Sequence, residues 1–139
     1  MTTENKATGP VPVPQQESDF YWEKLKAHEL WLRKCNETGK AYFYPRDISP
    51  FTFSRDTSWI QSSGKGTLFT YAICYTPIPR YTGPVPFIIA MVELEEGPLI
   101  PTNIVDVEPD PSNLTIGMPV EVTYEDVTDT ITLPKFKPV

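Results

Sequence analysis

Apolar and polar residues alternate along 120–125: Val120, Val122 and Tyr124 fall on one side, Glu121, Thr123 and Glu125 on the other. A period of two is the pattern of a half-buried strand. Other stretches nearby are rich in β-branched and aromatic residues. The predicted strands are Gly66–Thr76, Val85–Leu94, Pro98–Val105, Pro119–Val127 and Thr130–Phe136. Turn signals separate them: Pro77, Pro79, Gly83 and Pro84, then Glu95-Glu96-Gly97, then Pro109 to Gly117, then Asp129. The apolar run Phe87–Val92 is too short for a buried helix and is bracketed by Pro84 and Pro86 before it and Glu95-Glu96-Gly97 after it, so it reads as a strand. Five strands with one longer connection predict a mainly β fold, a five-stranded Greek-key barrel of the OB type over residues 64–139.

Upstream of the barrel the period becomes helical. Ser18 or Asp19 is a suitable N-cap, and Phe20, Tyr21, Leu25, His28, Leu32 and the pair Trp22/Trp31 recur near helical spacing. The predicted helix runs from Phe20 to about Glu29. Its aromatics fall on more than one side. One face packs on the chain, and the other is either an exposed partner surface or is covered by the tail or the next subdomain. Tyr21 and Trp22 are accordingly candidate interface residues. Residues 1–17 are polar and proline-rich without periodicity, which predicts a disordered tail or an arm draped over a neighbour.

Between helix and barrel, residues 18–63 complete an N-terminal subdomain. Leu30–Lys34 reads as a short strand, Cys35–Lys40 as a tight knuckle, Ala41–Tyr44 as a second strand, and Pro45 to Phe53 as a second knuckle. In a zinc ribbon each knuckle supplies two thiolates spaced C-x2-C to a tetrahedral ion. Here the four positions read Cys35, Thr38, Ser49 and Thr52. The spacing is intact, but neutral hydroxyls do not replace thiolates, so the expectation is a degenerate ribbon without zinc. The aromatics Tyr42, Phe43, Tyr44, Phe51 and Phe53 would supply its core instead. Gly64-Lys65-Gly66 lacks the upstream glycine and trailing Ser/Thr of a phosphate loop and reads as a turn.

Charge narrows the function classes. The chain of 139 residues carries a net charge of −6. Residues 67–139 hold only Arg80, Lys135 and Lys137 against ten acidic residues, a net of −7. An OB barrel for single-stranded nucleic acid needs a cationic groove with stacking aromatics, so this barrel disfavours nucleic acid. No run of about 18 apolar residues exists and no segment of signal-peptide type opens the chain. Two cysteines make no disulfide framework, and the expected location is cytoplasmic.

No catalytic set emerges. His28 is the single histidine, Cys74 sits among apolar strand residues as a core thiol, and a Cys–His nucleophile pair would require Cys35 and His28 to meet. The carboxylates Glu93, Glu95 and Glu96, with those at 106–110 and 125–129, lie at strand ends or turns, as solvated edge charges do. The stretch Thr76–Pro86 holds four prolines that keep it extended, and Arg80 and Tyr81 on it suit interface anchors.

Taken together the chain resembles the rubredoxin-like zinc-ribbon plus OB-fold family of acyl-CoA-associated accessory proteins, the domain-of-unknown-function 35 family. The resemblance covers about residues 18–139. It is carried by Phe20-Tyr21-Trp22-Glu23, Leu32-Arg33-Lys34-Cys35 with Gly39, Tyr44-Pro45-Arg46, and Gly64-x-Gly66-Thr67-Leu68. It continues through Pro84-x-Pro86 to Leu94, Thr102-Asn103-Ile104-Val105, Ile116 to Val122, and Leu133-Pro134-Lys135-Phe136. The departure lies in the ribbon, where family cysteines align with Thr38, Ser49 and Thr52.

The resemblance implies a non-catalytic accessory subunit in a hetero-oligomer with a thiolase-superfamily enzyme, helping to complete that partner's acyl-CoA site. Such partners include thiolases, lipid-transfer-protein-like aldolases of steroid side-chain breakdown, hydroxymethylglutaryl-CoA synthases and acyltransferases. The closing Leu133-Pro134-Lys135-Phe136-Lys137-Pro138 favours the aldolase or thiolase kind. A CoA thioester shared with the partner would meet Arg46, Arg55 and Lys65, with Tyr44, Phe51 and Trp59 available to stack adenine. The expected partner surface comprises Tyr21, Trp22, Tyr44, Phe51, Arg80 and Tyr81. The rival readings are a single-stranded nucleic-acid-binding OB protein and a stand-alone acyl-CoA thioesterase.

Overall fold

The computed structural model describes residues 6–139; the expectation of a disordered tail at residues 1–5 lies outside them. A short three-stranded antiparallel sheet precedes a closed five-stranded barrel. The sheet has the order β2-β1-β3, with β1 (Trp31–Cys35) central between β2 (Ala41–Tyr42) and β3 (Thr57–Gln61). The barrel runs β4 (Lys65–Cys74), β5 (Phe87–Leu94), β6 (Leu99–Ile104), β8 (Thr132–Pro138) and β7 (Pro119–Asp126), and closes by pairing of β7 with β4. All pairs are antiparallel except β6 with β8, which meet in parallel at Ile104 and Phe136. That order is the OB topology expected from the alternation pattern. Strand ends move by one to two residues from the predicted ones. β3 is an additional strand without clean alternation: Thr57 to Ile60 are all half-buried and Gln61 is exposed.

Two local features shape the barrel. Gly66 pairs with both Leu94 and Val120, where β4 passes between its two neighbours. A Cβ there would run into the Glu93 carbonyl oxygen, so only glycine lets the strands close. A bulge between Leu68 and Thr70 sends Leu68 fully inward and Phe69 outward.

The helix α1 spans Asp19–Lys26, three residues shorter than predicted at its C-terminus. It ends in a Schellman motif: Glu29 N donates to Lys24 O, and His28 N to Leu25 O. His28 takes the left-handed position (φ 60) that glycine usually fills. Both faces of α1 are covered. Tyr21, Trp22 and Leu25 are buried in the core, and Phe20 packs on Trp31 and Trp59 of the ribbon sheet, with ring centroids 5.5 and 4.5 Å apart. One hydrophobic core is continuous from α1 and the ribbon (Leu30, Leu32) to the barrel (Leu68, Val92, Phe136). Residues 6–17 are not a free tail. Lys6 N donates to Val127 O, Thr82 N donates to Thr8 O, and Ala7 and Val11 pack against the core.

His28 leaves the helix end toward the barrel. Its ring stacks on Tyr124 at 4.9 Å, and Nε2 hydrogen-bonds Asp126 Oδ1 at 3.1 Å. The buried Thr132 hydroxyl donates to the same carboxylate. These two bonds, the Thr132 one foremost, hold Asp126 below the usual carboxylate range. A depressed native pKa means that the unfolded chain takes up the proton first as pH falls, so the stabilisation is present at neutral pH and is lost in acid. Asp126→Asn should cost about 0.5 kcal/mol near neutrality and flatten the stability loss below about pH 4. Urea titrations at several pH values will check this; an acid limb as steep as the wild type's would contradict it.

Candidate functional site

The ribbon presents its four knuckle positions on two tight turns that face each other through Cys35 and Thr52. The two knuckles repeat one backbone pattern. Gly39 N donates to Cys35 O at 2.8 Å, and Phe53 N to Ser49 O at 3.0 Å. Both closing residues are left-handed, Gly39 at φ 75 and Phe53 at φ 60. Each hydroxyl at a ligand position accepts a knuckle amide: Thr38 Oγ1 from Lys40, Ser49 Oγ from Phe51 and Thr52, Thr52 Oγ1 from Ser54. Their protons remain free to point inward, where the Cys35 sulfur sits 3.7 Å from Thr52 Oγ1. Cys35 is fully buried beside them.

This donor set does not fit tetrahedral zinc. It offers one thiol and three neutral hydroxyls already engaged with backbone amides, and among the described residues no group of three or more His, Cys, Asp or Glu could hold a metal. The hydroxyls act on the thiol instead. Ser49 first, then Thr38 and Thr52, lower the Cys35 pKa to about 6 against the burial that raises it. An unfolded thiol titrates near 8.5, so the unfolded chain binds more protons between about pH 6 and 8.5. Stability should therefore rise with pH across that window, with the full gain present above about 8.5 and none of it left below about 6. Cys35→Ser should remove the slope; denaturant midpoints at pH 6 and 8.5 that differ equally in both proteins would contradict it.

Cys35 and His28 do not form a nucleophile pair: the first is enclosed by the knuckles and the second is bonded to Asp126. Cys74 is not core as expected; it is half-buried at the end of β4, and its thiol donates to Thr76 O.

Of the expected partner surface, Tyr21 (2% exposed) and Trp22 (8%) are removed by burial, since the ribbon and barrel close over α1 from both sides. Tyr44 is half-buried and accepts a hydrogen bond from Trp22 Nε1 at 3.2 Å. Tyr81 is half-buried, its ring tilted against Phe87 at 4.3 Å and its hydroxyl donating to Pro84 O, while Arg80 beside it is exposed. Phe51 remains exposed at 45%. Ile48, which no sequence pattern marks, and Phe53 stand exposed at 43% and 82% on the same knuckle. Neither Phe51 nor Phe53 joins the ribbon core as expected, and the left-handed backbone at Phe53 accompanies its outward position. A phenylalanine in that conformation costs about 1–2 kcal/mol.

The three expected CoA-facing cations are not gathered at one cavity. Arg46 is ion-paired with Glu17 at 2.8 Å and lies over the Tyr44 ring. That bond, with the Asp47 amide, keeps Glu17 below the usual carboxylate range. Lys65 lines a groove at the barrel edge among Glu93, Glu95 and Glu121. Arg55 is exposed in the loop after Phe53.

Comparison with known proteins agrees with both halves of the fold. Residues 22–49 match the family model described as "ChsH2, rubredoxin-like zinc ribbon domain", and residues 59–125 match "ChsH2, C-terminal OB-fold domain". A DUF35 domain-containing scaffold protein of Methanocaldococcus jannaschii is 36% identical over 127 residues, covering 85% of this chain and 88% of that protein. This chain belongs to the DUF35 family. Within it, the 3-oxo-4,17-pregnadiene-20-carboxyl-CoA hydratase alpha subunit of Mycobacterium tuberculosis is 35% identical over 119 residues, 85% of this chain and 37% of that subunit. The chain spans about two fifths of the length of the hydratase alpha subunits it matches. Among solved structures, a chain titled "Ltp2-ChsH2(DUF35) aldolase" superposes with a TM-score of 0.79 at 28% identity, covering 91% of this chain and 98% of that one.

Proposed function

We propose that this DUF35 chain is a non-catalytic accessory subunit that docks on a thiolase-superfamily enzyme acting on acyl-CoA. The observation that carries the reading is the likeness over nearly a full chain to the one titled Ltp2-ChsH2(DUF35) aldolase, whose title joins two components. One relative's name, scaffold protein, supports the accessory role, and another's, carboxyl-CoA hydratase alpha subunit, supports the acyl-CoA chemistry. The partner-facing surface is the second knuckle, Ile48, Phe51 and Phe53, together with Arg80 on the proline-rich loop. Exposed apolar side chains on a tight, hydrogen-bonded turn lose little entropy when they are covered, which suits an anchor. The partner supplies the nucleophile and the acid–base groups, and holds the CoA thioester. Of the three expected cations, Arg46 is ion-paired with Glu17, which leaves the exposed Arg55 and Lys65 as this chain's cations for CoA phosphates. The ribbon works as a metal-free spacer, and the assembly is cytoplasmic. Among the described residues no helix is long and apolar enough to cross a membrane.

Turnover separates this reading from a stand-alone thioesterase. Purified chain alone should leave acyl-CoA thioesters intact, while the co-expressed enzyme should turn over faster with the chain than without it. Hydrolysis by the chain alone, abolished by Cys35→Ser or His28→Ala, would overturn the proposal. Salt-dependent binding to oligonucleotides would instead favour the nucleic-acid reading.

A further inference from the structure

The barrel carries a cleft at one end, roofed by the proline-rich loop and by the N-terminal strap at Thr8, with a volume of about 320 Å³. That lies at the lower end of the range for small-molecule sites. Its walls are largely apolar, including Tyr81, Phe87, Val105 and Val107. The Tyr81–Phe87 contact and the Tyr81 hydroxyl bonded to Pro84 O hold the roof in place. No residue of this cleft takes part in the knuckle cluster or in the proposed partner surface.

One cation lines the cleft. Lys135, on β8, is half-buried, and its Nζ donates to Asn103 Oδ1 at 2.6 Å. Asn103 is fixed in turn by donating Nδ2 to Ile88 O at 2.8 Å. Among the described residues no carboxylate lies within ion-pair distance of Lys135, so two of its three N–H bonds have no protein acceptor. Burial lowers the lysine's pKa, the mark of an amine short of solvation. Lys135 and Asn103 also line a second, smaller hollow against Tyr21 and Trp22, so the pair forms a partition between two spaces. Two further charges line the cleft, Asp106 and Glu125, both negative. They outnumber the lysine, so the local field opposes an anion.

We propose that this cleft binds a small uncharged molecule with an apolar body and one acceptor oxygen, such as an alicyclic ketone, whose oxygen takes a hydrogen bond from Lys135. The apolar walls take the body, the spare ammonium N–H bonds take the oxygen, and the two carboxylates exclude anionic competitors. A neutral acceptor meets the amine's unfilled hydrogen-bonding capacity without adding negative charge.

The test uses the full chain, labelled with nitrogen-15, and three probes that share one ring: cyclohexanone, cyclohexanecarboxylate and cyclohexylamine. Cyclohexanone should shift the amide signals of Phe87, Ile88, Asn103, Val105 and Asp106 saturably, and bind at least about fivefold more tightly than either charged probe, the worth of one hydrogen bond. Lys135→Met should weaken cyclohexanone about tenfold, as loss of a charged donor does. Val105→Phe, which fills the cleft while leaving Lys135 in place, should abolish the shifts and serves as the second variant if Lys135→Met does not fold. No saturable shift, tightest binding by the carboxylate or the amine, shifts confined to other grooves, or binding unaffected by either folded variant would each overturn the proposal.

Discussion

Restoring three thiols should turn the spacer into a zinc site. In the variant Thr38→Cys/Ser49→Cys/Thr52→Cys, the two knuckles would present four sulfurs at C-x2-C spacing on a backbone that already has the paired knuckle hydrogen bonds. The expected result is one bound zinc per chain, against none for the wild type, measured by metal analysis after dialysis. The bound ion should stabilise the fold by about 4 kcal/mol when free zinc exceeds the dissociation constant about a thousandfold. A chelator should reverse the gain. Tetrahedral structural zinc is held by thiolates and imidazoles, and a serine or threonine hydroxyl stays protonated and neutral near pH 7. Zinc retained by the wild type at one equivalent would contradict it. So would a triple-cysteine variant that folds but takes up no metal, because then the knuckles are not poised as the hydrogen bonds indicate.

The second large effect lies in the barrel. Phe136 is fully buried and forms the parallel contact with Ile104 that joins β8 to β6. Its backbone also anchors the neighbouring strand end, with Val105 N donating to Phe136 O at 2.8 Å. Phe136→Ala should cost about 3–5 kcal/mol, the usual result of deleting a core aromatic and leaving a cavity. Against a typical total of about 5–15 kcal/mol, that is enough to leave part of the population unfolded. Urea denaturation followed by far-ultraviolet circular dichroism will measure it, with Lys137→Ala on the same strand as a control expected within about 0.5 kcal/mol of wild type. A loss under about 1 kcal/mol at Phe136 would mean that the barrel is held together elsewhere.

The barrel was legible in the sequence because its strands obey a period that the chain states locally. Val120 against Glu121, and the proline and glycine turns, need no knowledge of distant partners. The four knuckle positions were legible for a similar reason, since spacing alone aligns Cys35 and Thr38 with Ser49 and Thr52. What was not legible depends on contacts across the chain. The aromatics of α1 are amphipathic enough to predict burial of one face, but only the packed ribbon shows that Phe20 finds Trp31 and Trp59, and that Tyr21 and Trp22 are lost to any partner. Arg46 reads as a free cation until residue 17 is seen beside it. Phe53 and His28 occupy left-handed positions that a sequence normally marks with glycine, so nothing local announced either turn. The lysine cleft combines β5, β6, β7, β8, the proline-rich loop and the strap, and no single stretch carries it.

If this chain is one component of an acyl-CoA enzyme assembly that docks through its second knuckle, light scattering after size-exclusion chromatography will register the complex, with the chain co-expressed with a thiolase-superfamily enzyme of the same source, as wild type and as Phe51→Ser/Phe53→Ser. The wild-type chain should form a stable hetero-oligomer. The double variant should dissociate while keeping its fold, because both side chains are exposed. A wild-type chain that elutes apart from the enzyme would contradict the assembly, and a double variant that binds as tightly as wild type would contradict the knuckle as its docking surface.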